Sequence, residues 1–106
     1  MDKNVMALIE ELLISNAKLR QLAGAGEWDV FLDESVAYAM GMRTLCEIDL
    51  TQLAQHNKAR VSGQLAQLLE NDAILTRAIQ GRLTTISTEL SAMRKTSSVA
   101  KAYTAV

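Results

Sequence analysis

The sequence predicts an all-α fold, an antiparallel helical bundle of three main helices with a long third helix and a short C-terminal helical tail. Proline is absent, and aromatic residues make up 4% of the chain although 49% of its residues are hydrophobic. Leucine, alanine, isoleucine and methionine must therefore build the core, and these residue types favour helices over sheets. Apolar residues also recur at helical spacing along most of the chain. The length of 106 residues predicts a single domain over 1–106.

Helix one is predicted over about residues 3–23. Its apolar residues fall within one arc of a helix; they are Val5, Leu8, Ile9, Leu12, Leu19, Leu22 and Ala23. Asp2 or Asn4 can cap its start. Gly24 and Gly26 are expected to end it, because glycine adopts the left-handed conformation that often follows a helix.

Helix two is predicted over about residues 28–47, with a broad apolar face. The face is formed by Trp28, Phe31, Leu32, Ala39, Met42, Leu45 and Cys46, and Val36 and Met40 widen it on one side. A contact between two helices needs only a narrow stripe, so this width indicates at least three helices. Trp28, an aromatic at the helix start on the apolar face, is assigned to the core.

Helix three is predicted over about residues 50–94, after a capping box formed by Asp49 and Gln52. Its apolar stripe keeps one phase through Leu50, Leu53, Ala54, Val61, Leu65, Leu68, Leu75, Ile79, Leu83, Ile86, Leu90 and Met93. Such a helix would be about 65 Å long, whereas helices one and two would each be about 30 Å long. Part of the stripe must therefore meet the tail (96–106) folded back on it, a second copy of the chain, or another protein.

Composition argues against several classes of function. The net charge of -1 provides no excess of basic residues for nucleic acid or an anionic membrane, and Glu10 and Glu11 interrupt the apolar run near the amino terminus, so no membrane span is expected. Cys46 is the sole cysteine, which fits a reducing cytoplasm. His56 has no nucleophile or ligand partner at a familiar spacing. We therefore expect a cytoplasmic protein that is not an enzyme and needs no metal or cofactor.

Asp72 interrupts the stripe of helix three between Leu68 and Leu75, where an unpaired carboxylate would be costly to bury. One interpretation is an ion pair with Arg20 or Arg43 that sets the register of the helices. The other is a polar anchor for a bound partner helix. The sequence favours the ion pair without excluding the anchor.

Several segments resemble the flagellar export chaperone FliT family. The resemblance is carried by Gly26-Glu27-Trp28-Asp29, by Leu69-Glu70-Asn71-Asp72-Ala73-Ile74-Leu75, and by weaker matches at 80–83, 89–90 and 102–103. It implies a cytoplasmic helical chaperone that binds the filament-cap protein FliD before export through an apolar surface on helices two and three. It also implies association with the export ATPase complex and with the master regulator FlhDC, which the family represses by binding.

The resemblance assigns partner contacts to both helices. The implied positions, with Asp72 as their polar member, are Val36, Met40, Leu65, Leu68, Leu69, Asp72, Leu75 and Ile79. In the tail, Tyr103 is expected to latch a short regulatory segment onto the body. Two alternatives remain: a transcriptional anti-activator acting by sequestration alone, and a structural coiled-coil subunit, such as a homodimer, whose stripe is covered by self-association.

Overall fold

The computed structural model describes the backbone of residues 1–104 and the side chains of residues 1–97. Its elements are α1 (Asp2–Gly24), α2 (Trp28–Cys46), a 3₁₀ turn (Leu50–Gln52) and α3 (Gln55–Thr104). The described part of the chain has no strand, and the predicted all-α bundle is confirmed. The chain forms two compact units, Met1–Thr76 and Arg77–Val106, described below as the first and second units.

The core of the first unit is a narrow seam on each helix. Buried α1 residues alternate at spacings of four and three, as in a coiled coil: Val5, Ile9, Leu12, Asn16 and Leu19. The buried positions of α2 and α3 recur every seven residues: Phe31, Tyr38 and Leu45, and then Val61, Leu68 and Leu75. Leu53, which precedes α3, is also buried.

The broad apolar face predicted for helix two is only partly correct. Leu32, Ala39 and Cys46 are exposed, and Tyr38 takes the centre of the buried seam. The reason is the seven-residue repeat, which buries one row of side chains and leaves the adjoining apolar row outside. Trp28 is half-buried and meets the Phe31 ring edge-on, with ring centroids 4.9 Å apart.

The turn between α1 and α2 depends on Gly26, as predicted. Gly26 has φ of 74°, a conformation that a side chain would strain. Its amide donates to the Ala23 carbonyl over 3.1 Å, and the Glu27 amide donates to the Leu22 carbonyl over 3.0 Å. This pair of bonds is a Schellman motif, which satisfies carbonyls at the end of α1 and lets the chain reverse.

The predicted start of helix three at Leu50 is wrong, because α3 begins at Gln55. The Asp49 carboxylate does act as a cap, but of the 3₁₀ turn: it accepts from the Thr51 amide over 3.1 Å and from the Thr51 hydroxyl. These bonds to Thr51 lower the pKa of Asp49. The backbone then becomes extended at Leu53, with ψ of 145°, so that this side chain enters the core and the α-helix cannot yet begin.

Asp2 caps α3 rather than α1. Residue 1 is the N-cap of α1, without a side-chain hydrogen bond. The Asp2 carboxylate instead accepts from the Ala54 amide over 2.9 Å and from Asn57 Nδ2 over 2.8 Å, and the bond from Asn57, followed by that from Ala54, lowers the pKa of Asp2. These hydrogen bonds have a tertiary cause, since the first turn of α1 lies beside the start of α3.

In the second unit, α3 continues to Thr104, so the predicted end near residue 94 and the separate tail from residue 96 are wrong for the described backbone. The sequence from 82 to 104 contains neither glycine nor proline to stop the helix. Ile79 and Ile86 are half-buried, whereas Leu83, Leu90 and Met93 are exposed. The Tyr103 side chain and residues 105–106 lie outside the described residues, and the latch at Tyr103 stays a prediction.

Candidate protein-binding site

A chain of hydrogen bonds joins the three helices inside the first unit. Arg20 Nε donates to Asn16 Oδ1 over 2.8 Å, and Asn16 Nδ2 donates to the Tyr38 hydroxyl over 3.0 Å. The Tyr38 hydroxyl in turn donates to Asp72 Oδ1 over 2.8 Å. Each donor points from the cationic end towards the anionic end, so the bonds can polarise and strengthen one another.

Asp72 therefore does not form the predicted ion pair with Arg20 or Arg43. Its partner is the Tyr38 hydroxyl, and Arg20 reaches it only through Asn16 and Tyr38. No sequence pattern indicated this arrangement, because a tyrosine hydroxyl is not detected by a search for opposite charges. Burial and the Asp72 carboxylate raise the pKa of Tyr38 to about 12, against a smaller lowering by Asn16. The hydrogen bond fixes α2 beside α3 at this level.

An exposed apolar row lies on α2. Leu32, Val36 and Met40, at spacings of four, are 63%, 61% and 66% exposed. The opposite side of α2 faces α1, because Glu34 pairs with Lys18 at 3.1 Å. Val36 follows Glu34 by two residues, about 200° around the helix, so the row is turned away from α1.

The matching side of α3 is also apolar. Gln64 and Arg60 line a groove with residues 2–10 of α1, which marks the side of α3 that faces α1. Leu65 and Leu69 lie about 100° and 140° around the helix from Gln64 and are therefore turned away from α1. Leu69 is 64% exposed. Because the Tyr38–Asp72 bond holds α2 beside α3, these residues and the α2 row lie on the side of the first unit remote from α1.

A groove of about 430 Å³ adjoins this apolar side of α3. Its described lining is Leu50, Leu53, Lys58, Val61, Ser62, Leu65, Ala66 and Leu69. Most of these residues are apolar, so the groove is suited to apolar side chains rather than to a polar ligand. The surface made by Leu32, Val36, Met40, Leu65, Leu69 and this groove is called the outer face below.

The structure divides the partner-contact residues predicted from sequence. Val36, Met40 and Leu69 are exposed, and Leu65 is half-buried. Leu68 and Leu75 are 1% and 3% exposed, so they are core residues with no surface to offer a partner. Asp72 is half-buried at the end of the hydrogen-bond chain, and Ile79 is half-buried in the second unit.

Sequence reasoning missed three features of the outer face. Leu32 is predicted on the broad apolar face of helix two but not as a partner contact, although its spacing of four from Val36 places it in the exposed row. Lys58 and the lining role of Leu50 were not predicted. The position of Lys58 in the sequence indicates that it lies beside the seam, since it precedes the buried Val61 by three residues.

The described residues offer little for catalysis or metal binding. Residues 1–97 contain no group of three or more His, Cys, Asp or Glu side chains that could hold a metal ion. Cys46 and His56 are both exposed. Within the described helices, none combines the length and apolar character required to cross a membrane. The outer face can bind apolar groups, but it presents no arrangement of reactive side chains.

Comparison with known proteins supports an assignment to a family. Residues 4–105 match the family model described as Flagellar protein FliT. No solved structure shows a significant match to the chain. The FliT family consists of chaperones and is not a known family of enzymes. Because the match spans nearly the whole length, the chain belongs to the FliT family of flagellar export chaperones.

Proposed function

We propose that this protein is a cytoplasmic chaperone that binds the filament-cap protein FliD on the outer face and delivers it to the flagellar export apparatus. Membership of the FliT family supports the chaperone role. The observation that carries the proposed site is the row of Leu32, Val36 and Met40, each more than 60% exposed on the same side of α2. Contiguous apolar surface of this kind marks interaction sites in soluble proteins.

The proposed contact is an amphipathic helix of FliD laid along the outer face. Its apolar side chains would meet Val36 and Met40 on α2 and Leu65 and Leu69 on α3. Leu68 and Leu75 support this surface from the core beneath it. Each apolar side chain contributes roughly 1.5–3 kcal/mol when it becomes fully buried. Loss of two such contacts should therefore lower the affinity measurably, even though part of the contact energy is offset by the entropy lost on binding.

The experiment is calorimetric titration of purified FliD into the full chain and into a Val36→Ser/Met40→Ser variant. Both side chains are exposed, so the circular dichroism of the variant should match that of the wild type. We expect affinity for FliD to fall by at least about tenfold. Ile14→Ser is the matched control, because Ile14 is 66% exposed but lies on α1. Equal affinities for the wild type and the double variant would overturn the proposed site.

The further partners implied by the family are the export ATPase complex and the regulator FlhDC. We propose that a regulator bound by this protein uses the same outer face, so that FliD and FlhDC exclude one another. A pull-down with immobilised chain and FlhDC, titrated with FliD, tests this. Displacement of FlhDC is expected, and a stable ternary complex would contradict a shared surface.

A second candidate, self-association, is favoured by the second unit. Leu83, Ile86, Leu90 and Met93 alternate at spacings of three and four, which is the repeat of a coiled coil. Three of them are largely exposed: Leu83, Leu90 and Met93. Sedimentation velocity of the wild type and of Leu90→Ser tests this candidate. A dimer that the substitution converts to a monomer would support it, and a wild-type monomer at all concentrations would reject it.

A further inference from the structure

Each helix of the first unit contributes a buried or half-buried polar side chain to the hydrogen-bond chain. Asn16 lies on α1, Tyr38 on α2 and Asp72 on α3, and the Tyr38 hydroxyl links α2 to α3. The Asn16 side chain is fully buried and that of Tyr38 is 7% exposed. Water has little access at that depth, so the polar groups are satisfied only where all three side chains meet.

The apolar seams alone do not determine where α3 lies along its neighbours. The buried side chains of α2 and α3 both recur every seven residues; they are Phe31, Tyr38 and Leu45 on α2 and Val61, Leu68 and Leu75 on α3. If α3 moved by one such repeat, roughly 10 Å along its axis, apolar side chains would still meet apolar side chains. Apolar contact has no direction, and in regular helical seams a single polar residue can specify the register.

The observed register is the one that gives Tyr38 a carboxylate. Its hydroxyl donates to Asp72 Oδ1 over 2.8 Å. After a displacement of α3 by one repeat, the place of Asp72 would be taken by Leu65 or Ile79, and neither side chain accepts a hydrogen bond. Because the Schellman turn at Gly26 connects α1 and α2 directly, the register to be chosen is that of α3 against this pair of helices.

The outer face depends on this register because two helices form it. Val36 and Met40 belong to α2, whereas Leu65 and Leu69 belong to α3. Side chains four residues apart on one helix are separated by roughly 6 Å along its axis. A displacement of about 10 Å would therefore carry the α3 residues past their neighbours on α2, and a client helix could no longer contact both rows in the same way.

We infer that the hydrogen bonds among Asn16, Tyr38 and Asp72 select the register of α3, and that Tyr38 is thereby a positioning residue for client binding. The inference rests on the proposed function. Tyr38 is buried, so it acts through the placement of α3 and not by touching the client. A client binds only the fraction of molecules that hold the competent register, and its apparent affinity falls with that fraction.

A second polar contact connects α3 to α1 near the start of α3. Asp2 accepts from the Ala54 amide and from Asn57 Nδ2. The Asp2 side chain is only half-buried, so water can replace a lost partner there. This contact should therefore contribute less to the choice of register than the buried hydrogen bonds do.

The register is measured by the distance between spin labels on α2 and α3, attached through Asp29→Cys and Glu70→Cys in a Cys46→Ser background. All three side chains are exposed. With the hydrogen bonds intact, one narrow distribution of distances is expected. Displacement of α3 would add a second population, shifted by several ångströms, and this readout does not depend on FliD.

The variant to compare is Asn16→Leu/Tyr38→Phe/Asp72→Leu, in which apolar side chains of similar size replace the three polar ones. It should unfold at a urea concentration no lower than the wild type does, because buried polar networks replaced in this way often lose no stability. We nevertheless expect the second population of distances and an affinity for FliD about tenfold weaker. If this variant does not fold, Tyr38→Phe alone should show both changes to a smaller extent.

Two controls separate register from stability. Leu45→Ala removes a buried apolar side chain from α2 without altering the hydrogen bonds, so it should lower stability but keep the single distance and the affinity. Asp2→Ala removes the bonds near the start of α3 and should also keep the single distance.

A single distance in the folded apolar variant would overturn the inference, as would a second population of equal size in either control. A displaced register with unchanged FliD affinity would overturn the positioning role of Tyr38. If the wild type itself does not bind FliD, the proposed function fails, whereas the distances still decide whether the hydrogen bonds select the register.

Discussion

Tyr38 is the residue on which the interior of the first unit depends most. It is 7% exposed, and its hydroxyl both accepts from Asn16 and donates to Asp72. The buried Asn16 amide and the half-buried Asp72 carboxylate therefore share one partner. Removal of that partner leaves two polar groups with incomplete hydrogen bonding, and this costs more than the loss of an exposed bond.

Tyr38→Phe should lower the free energy of unfolding by about 1–3 kcal/mol, measured by urea denaturation. Ser35→Ala is the control on the same helix, since its hydroxyl bonds the Leu32 carbonyl at an exposed position. Its effect should stay within about 0.5 kcal/mol. Similar losses of unfolding free energy for the two variants would show that the buried hydrogen bonds of Tyr38 stabilise the protein no more than an exposed hydrogen bond does.

The pKa of Tyr38, raised to about 12, predicts a loss of stability at high pH. Between about pH 10 and pH 12 the unfolded tyrosine has released its proton while the folded one retains it, so the free energy of unfolding falls by up to about 1.4 kcal/mol per pH unit. Urea denaturation across this range should show a steeper fall for the wild type than for Tyr38→Phe. Parallel curves would contradict the raised pKa.

At the scale of the elements, the boundaries of the helices depend on two structural features. The α1–α2 turn needs a left-handed residue, and Gly26 provides it. The residue before α3, Ala54, needs an acceptor for its amide and receives one from Asp2, which is distant in sequence. The turn at Gly26 depends on neighbouring residues alone, whereas the bond to Asp2 exists only when α1 and α3 have packed together.

Gly26→Ala should destabilise the protein by about 1 kcal/mol, because alanine resists positive φ. A Cβ at residue 26 meets no atom within 4 Å, so the effect would come from backbone conformation alone. Gly24→Ala is the control, since its added Cβ also meets nothing within 4 Å and its φ is not positive. Thermal melts should show a lower melting temperature for Gly26→Ala and a higher one for Gly24→Ala. The Gly24→Ala variant should be more stable than the wild type by about 0.5–1 kcal/mol.

Asp2→Ala should increase fraying at the start of α3. Hydrogen exchange of the amides from Ala54 to Asn57 should become faster in the variant, whereas Lys3→Ala should leave it unchanged. In the wild type, the protection of these amides relative to the unstructured exchange rate at the same pH should fall as pH falls through the lowered pKa of Asp2, because the hydrogen bonds stabilise the ionised carboxylate. Unchanged exchange in Asp2→Ala would show that Asp2 does not cap the start of α3.

At the scale of the whole molecule, burial and charge are divided between the two units. The fully buried apolar residues of the described chain all precede Arg77, the last being Leu75. The first unit is acidic by sequence, with a net charge of -5, and the second is basic, with +4. Among the described side chains, the buried apolar core therefore lies in the first unit, and the second unit carries a net charge of opposite sign.

Deletion of residues 96–106 should change the free energy of unfolding by less than about 0.5 kcal/mol, since the described core lies before Arg77. Chemical denaturation of the full and shortened chains measures this. If residues 96–106 compete with a client, the shortened chain should bind FliD more tightly than the full chain does. A large loss of stability would show that the late segment contributes to the core.

The sequence alone determined the all-α class, the extents of α1 and α2 to within a residue, and the turn at Gly26. These depend on helical periodicity and on backbone chemistry, which are local properties. Tertiary structure decided that Leu68 and Leu75 are buried while Leu32 is exposed, that Asp72 bonds Tyr38, and that Asp2 caps α3. It also delayed the start of α3 by burying Leu53. These outcomes depend on which side of each helix meets a neighbour, and amphipathic spacing does not specify that when the apolar face is wider than the seam.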